Sequence, residues 1–198
     1  MTQPRKTDRR TIFTVTEIKD AFLKLIDTVG YNQINVSKLC KTASITRSTF
    51  YLHFDNLDSV LNTVLDDALL FNAPATTELT IDKNISIDFL KENESLLPAC
   101  QRIADSNKYH QLLMDSALSE YIIGRIIQHE RPIVVPAIQK RTGLSEKDAE
   151  LLFIYSIHGS FAINRRHHFI KNEAWYHELQ LLNQFTSSGY QYLSRLSK

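Results

Sequence analysis

The stretch that decides the fold runs from Asn35 to Phe54: Asn-Val-Ser-Lys-Leu-Cys-Lys-Thr-Ala-Ser-Ile-Thr-Arg-Ser-Thr-Phe-Tyr-Leu-His-Phe. Asn35 is a good N-cap for a short helix from about Val36, in which Leu39, Cys40 and Ala43 share an inward face. Ser44-Ile45 leaves room only for a tight connection before Thr46, which caps a second short helix over 47–53. Two helices joined by so short a turn cross steeply, the geometry of a helix-turn-helix. In that motif the second helix enters a DNA major groove while the first braces it across the backbone. The exposed face of the second helix offers Thr46, Arg47, Ser48, Thr49 and His53, with Tyr51 able to reach outward. Arginine can bond guanine in bidentate fashion, and Ser or Thr can contact bases or phosphates. Tyr and His suit phosphate, which positions without specifying. Lys38 and Lys41, on the supporting helix, fit either backbone contact or plain solubility.

Upstream, Ile18, Phe22, Leu25, Ile26 and Val29 recur at helical spacing and form one apolar stripe. Thr14 and Glu17 can form a capping box at its start, and Gly30 is placed to end it. Arg5, Lys6, Arg9 and Arg10 precede it as a flexible arm able to reach phosphates or the minor groove. Downstream, Asp55-Asn56 restarts the chain into a helix with Val60, Leu61, Val64, Leu65 and Ala68 inward, ending before Pro74. Residues 73–84 read as a linker. Helices follow at roughly 85–104, 107–119 and 119–141, the last disturbed at Pro132 and Pro136. A further one begins at Ser145, capped with Asp148, and carries Leu151, Leu152, Ile154, Tyr155 and Phe161. The last begins near Glu173 and carries Leu179, Leu182, Phe185, Tyr192 and Leu196. No strand-length alternation occurs, so the chain is expected to be all-α with about nine helices.

Charge supports the division. Residues 1–54 carry nine Lys or Arg against four acids, a net +5, while the rest carries 14 against 18, a net −4. A basic quarter on an acidic body is the pattern of a small module that meets a polyanion. At 198 residues with 43% apolar and 23% charged, the chain can bury a core and is not disordered. Two cysteines, Cys40 and Cys100, exclude a disulfide scaffold and suit a reducing compartment. Neither a signal peptide nor a membrane span is visible, so a cytoplasmic location with no membrane partner is expected.

The run from Asn35 to Phe54, with the Phe22 to Gly30 lead-in and the continuation to Leu61, resembles the helix-turn-helix of TetR-type (TetR/AcrR) transcriptional regulators. The resemblance covers about 50 residues, and Thr-Phe-Tyr-Leu-His-Phe after a three-helix lead-in is its specific part. It implies a DNA-binding domain over 1–56, with the helix-turn-helix at about 35–54, and a helical regulatory and dimerisation domain over 57–198. It also implies a cytoplasmic transcriptional repressor whose last two helices pair into a four-helix bundle. Two positions depart from the pattern: Ser48 where Gly is frequent, and Leu57 where a phosphate-touching Lys is common.

Other chemistry is poorly supported. His110, His129, His158, His167, His168 and His177 lie in the body, but no His-x-x-x-His occurs, and Arg165-Arg166 beside His167-His168 would repel a cation. No nucleophile elbow, phosphate loop or Cys–His pair is present, so no enzyme, cofactor or metal is expected. Phe89, Met114, Tyr121, Arg125, Phe153, Tyr155, His158 and Phe161 fit either ordinary core or an effector pocket. A single short recognition helix reads few base pairs, whereas two related by a two-fold axis about 34 Å apart read a palindrome. The expected partners are therefore double-stranded DNA and a second copy joined through about residues 145–196, with a small-molecule effector releasing the repressor from a palindromic operator. The alternative is control by a protein co-regulator, or action as an activator without a small-molecule ligand.

Overall fold

The computed structural model describes residues 6–71 and 106–196. The expected linker at 73–84, the helix at 85–104, and Arg5, Phe89 and Cys100 lie outside them. The regular elements are α1 (Lys6–Val29), α2 (Val36–Thr42), α3 (Arg47–Tyr51), α4 (Leu57–Ala68), α5 (Ser106–Met114), α6 (Ser119–Thr142), α7 (Glu146–Arg166) and α8 (Glu173–Leu196). Single 3-10 turns at Tyr31–Gln33 and Ser116–Leu118 join α1 to α2 and α5 to α6. No strand occurs among the described residues, and the chain is all-α. It divides into two compact units: the described residues of Met1–Ala68 with Asn107–Ser119, and those of Leu69–Ser106 with Glu120–Lys198.

In the N-terminal unit, Ile18, Phe22, Leu25 and Ile26 of α1 are buried with Leu39 and Cys40 of α2, Phe50 of α3, and Val60, Leu61, Val64 and Leu65 of α4. The α1 stripe stops short of Val29, which is exposed. Gly30 ends the helix with φ of 74°, where a side chain would be strained, and its amide still donates to the Ile26 carbonyl. The start of α1 differs from expectation. No capping box forms at Thr14; the Thr14 and Thr16 hydroxyls donate back to the Arg10 and Ile12 carbonyls at 2.9 Å, and the helix reaches Lys6. The supposed flexible arm is therefore helical over Arg9 and Arg10, which are exposed together with Ile12 and Phe13.

Polar contacts lock this unit. Lys19 of α1 pairs with Asp67 of α4 at 2.7 Å, and the Tyr31 hydroxyl donates to Asp58 at 2.9 Å. Asp115, from far along the chain, accepts the Tyr31 amide and the Ala117 amide at 2.9 Å each. Lys108 pairs with Asp20 at 2.9 Å, a bond that raises the ammonium pKa.

In the C-terminal unit, α6 runs unbroken through Pro132 and Pro136, both exposed, although each proline removes one helical donor. Ser145 caps α7, its Oγ accepting the Asp148 amide at 3.2 Å. Arg131 of α6 binds Glu150 at 2.6 Å and Glu146 at 3.0 Å. The Trp175 indole donates to the buried Asn164 at 2.7 Å, and the turn between α7 and α8 passes through His168 and Phe169 at positive φ. The inward stripes are Ala149, Phe153, Ile157 and Phe161 on α7, and Trp175, Tyr176, Leu179 and Tyr190 on α8. Most of the apolar residues on which the sequence pattern rested point the other way: Leu151, Ile154, Tyr155, Phe185, Tyr192 and Leu196 are exposed, as is Leu181.

Candidate nucleic-acid interface

The helix-turn-helix is assembled by local rules. The Asn35 side chain accepts the Lys38 amide at 2.9 Å to start α2, and Ser44 turns the chain at φ of 54°. Thr46 then starts α3, its Oγ1 accepting the Thr49 amide at 3.1 Å and lying 2.9 Å from the Thr49 hydroxyl. Phe50 is the keel of this short helix: it is fully buried, with Tyr51 edge-on at 5.2 Å and Phe54 at 6.0 Å. With one side of α3 sunk into the core, the opposite side must face solvent.

The expected site residues fall into three groups. Arg47, Ser48 and Tyr51 are exposed on α3, Tyr51 at 57%. Thr46 is exposed and Thr49 half-buried, their hydroxyls engaged in the cap; His53 is half-buried just beyond the helix. Lys38 stands apart: its ammonium donates to the Gln33 carbonyl at 2.7 Å, binding the turn before α2. Two residues that sequence reasoning passed over belong to the same surface. Leu52 is 80% exposed, an apolar side chain set beside Tyr51. Ser37, on α2, accepts a hydrogen bond from Arg47 Nη2. The signal for Leu52 was its place between outward Tyr51 and inward Phe54; no local signal marks Ser37, because its partner lies across a turn.

Cys40 is buried and desolvation raises its thiol pKa against the lowering influence of Arg47, so it packs as a small apolar group and is a poor nucleophile. Among the described residues no group of three or more His, Cys, Asp or Glu could hold a metal ion. Two of the body histidines have other engagements: His167 lies 2.8 Å from Glu178, and His129 stacks on Phe71 at 3.8 Å. The possible pocket residues do not share one environment. Phe153 and Phe161 are buried, Tyr121, Tyr155 and His158 are exposed, and Met114 belongs to the N-terminal unit. Among the described residues no helix is long and apolar enough to cross a membrane.

No protein-family model matches the chain. Over 59 residues, 30% of its length, the chain is 36% identical to the HTH-type dhaKLM operon transcriptional activator DhaS of Lactococcus lactis subsp. lactis (strain IL1403). That match covers 32% of the relative, about a third of its length. The fold is similar to that of the fatty acid degradation regulator FadR from Bacillus halodurans, with a TM-score of 0.54, 15% identity and 96% of each chain covered. The all-helical architecture is thus shared with a regulator along nearly the whole chain.

Proposed function

We propose that the protein is a sequence-specific double-stranded DNA-binding transcriptional regulator of the TetR type, and not an enzyme. The observation that carries this reading is α3 itself, a capped helix whose buried Phe50 leaves Arg47, Ser48, Tyr51 and Leu52 exposed on a basic N-terminal quarter. Arg47 would read guanine, Ser48 a base or phosphate, and Leu52 a thymine methyl. Tyr51 and His53 would hold phosphates, with Thr46, Thr49 and Lys38 placed to add backbone contacts. Arg9 and Arg10, fixed on the helical start of α1, would extend the phosphate contacts. DNA binding is assigned to 1–56 and regulation with dimerisation to 57–198, the compact unit around the helix-turn-helix also holding α4 and Asn107–Ser119.

The outward faces of α7 and α8 support a homodimer through about residues 145–196. Leu151, Ile154 and Tyr155 on one helix, and Leu181, Phe185, Tyr192 and Leu196 on the other, are large apolar groups exposed at helical spacing. Gly159 and Gly189 sit mid-helix with nothing within 4 Å of an added Cβ among the described residues, so packing among those residues does not require them. Glycine there weakens a helix, and close approach of a second helix gives that cost a purpose.

Regulation follows from such a dimer when an effector binds one arrangement of the body better than another, and it is limited by that difference in affinity. Repression from a palindromic operator relieved by a small molecule is the first form of this reading. The relative DhaS is named an activator, which favours a second form: activation, or control by a protein co-regulator. The test is binding to duplexes from a random library at several salt concentrations. The expected result is a palindrome, a steep loss of affinity with salt, and loss of that binding in Arg47→Ala/Tyr51→Ala without loss of helicity. Salt-insensitive or absent binding overturns the reading.

A further inference from the structure

Arg47 and Ser37 lie on different helices, and Arg47 Nη2 donates to Ser37 Oγ. Ser37 is in the first turn of α2 and Arg47 is the first residue of α3; both are exposed. Neither helix depends on this bond to begin, since Asn35 caps α2 and Thr46 caps α3. Besides tying α2 to α3, the bond restrains the guanidinium. Arginine is long and rotamer-rich, and ordering it during binding weakens whatever contact it makes; a guanidinium already held has less freedom left to lose. The group carries five N–H donors in a planar fork, so one bond to Ser37 leaves others for an acceptor pair such as guanine O6 and N7.

We propose that Ser37 is a specificity-determining positioning residue: without touching a base, it holds Arg47 so that the remaining donors address one base pair. The inference rests on the DNA-binding reading above. It assigns to the supporting helix a share in sequence choice, beyond bracing the recognition helix.

The test uses the full chain as wild type, Ser37→Ala, Ser37→Thr, Arg47→Ala and the Ser37→Ala/Arg47→Ala double variant. Each is titrated against the library-selected duplex and all of its single-base-pair changes at one salt concentration, with salt slopes measured on the selected duplex. Arg47→Ala is expected to erase preference at one base pair by about 10- to 100-fold. Ser37→Ala should reduce preference at that same pair by about three- to tenfold, leaving other positions and the salt slope unchanged. Ser37→Thr keeps the hydroxyl and should keep the preference, and the double variant should resemble Arg47→Ala. A uniform loss across all sequences, a changed salt slope, a Ser37→Ala effect that persists without Arg47, or no effect at all overturns the inference while DNA binding stands. Failure of the wild type to select any duplex overturns both readings together.

Discussion

The outward face of α3 and the outward faces of α7 and α8 are both open to solvent, yet they differ in composition. The first combines charged and polar groups with Tyr51 and Leu52, whereas the second carries several large apolar groups at helical spacing. On α3 the exposed groups include Arg47, Ser48 and Tyr51, hung on a single buried anchor, Phe50. On α7 and α8 the exposed groups include Leu151, Tyr155, Leu181, Phe185 and Tyr192, above inward stripes that already fill a core. A face that carries an arginine and hydroxyls without a core role suits a polar, charged partner that keeps much of its water. An apolar face without a core role suits a partner that removes water. On the proposed reading, the chain separates two kinds of recognition by the chemistry of its exposed surfaces.

The comparison can be broken most severely at its anchor. Phe50→Ala is expected to cost about 3–5 kcal/mol of stability, whereas the adjacent Tyr51→Ala should stay within about 0.5 kcal/mol. Both should lose DNA binding, and thermal melting separates them. Equal melting of the two would mean that Phe50 is not the keel of α3. Charging the apolar faces comes next: Tyr155→Glu with Phe185→Glu should weaken dimerisation by at least about 30-fold with helicity intact. Sedimentation at micromolar concentration would read this, and an unchanged mass would place the dimer contact elsewhere.

The glycines sharpen the contrast further, because their two effects differ in sign. Introduced into the charged, monomeric variant, Gly159→Ala and Gly189→Ala should each raise stability by up to about 1 kcal/mol. In the otherwise native chain the same changes should weaken the dimer. An unaltered dimer would show that no second helix comes close to these positions.

The smallest effect lies at Arg131. Its bond holds the Glu150 carboxyl below the ordinary value of 4.5. A carboxyl lowered in the folded state adds stability above its ordinary pKa, and that stability is lost as pH falls through the folded value. Arg131→Met should therefore melt slightly earlier than wild type at neutral pH. The gap should begin to close as pH falls below about 4.5, where the unfolded chain takes up the proton first, and vanish below the lowered folded value, where Glu150 is protonated in both states.

How much of this was legible in the sequence depended on range. Asn35, Thr46 and Ser145 cap helices with amides three residues away, so local reading found them. The same local reading misplaced the start of α1, because a threonine hydroxyl can bond backward to a carbonyl as well as forward to an amide. On α7 and α8 the pattern contained two apolar stripes, and periodicity alone does not say which one owns the core. Phe161 and Leu179 face inward while Tyr155 and Phe185 face outward. The contact of Ser37 with Arg47 depends on how two helices cross, which no spacing in one helix encodes.

Asp115 carries a practical consequence for anyone who wishes to move the helix-turn-helix unit to another protein. Its carboxylate, 84 residues beyond Tyr31, receives the amide that follows the α1 terminus, and nearby Lys108 holds Asp20. A fragment cut after α4 would leave both of these stitches behind. Chimeras should therefore transplant two separated pieces of chain, and an excised N-terminal fragment would be a looser object than the same unit in the full chain.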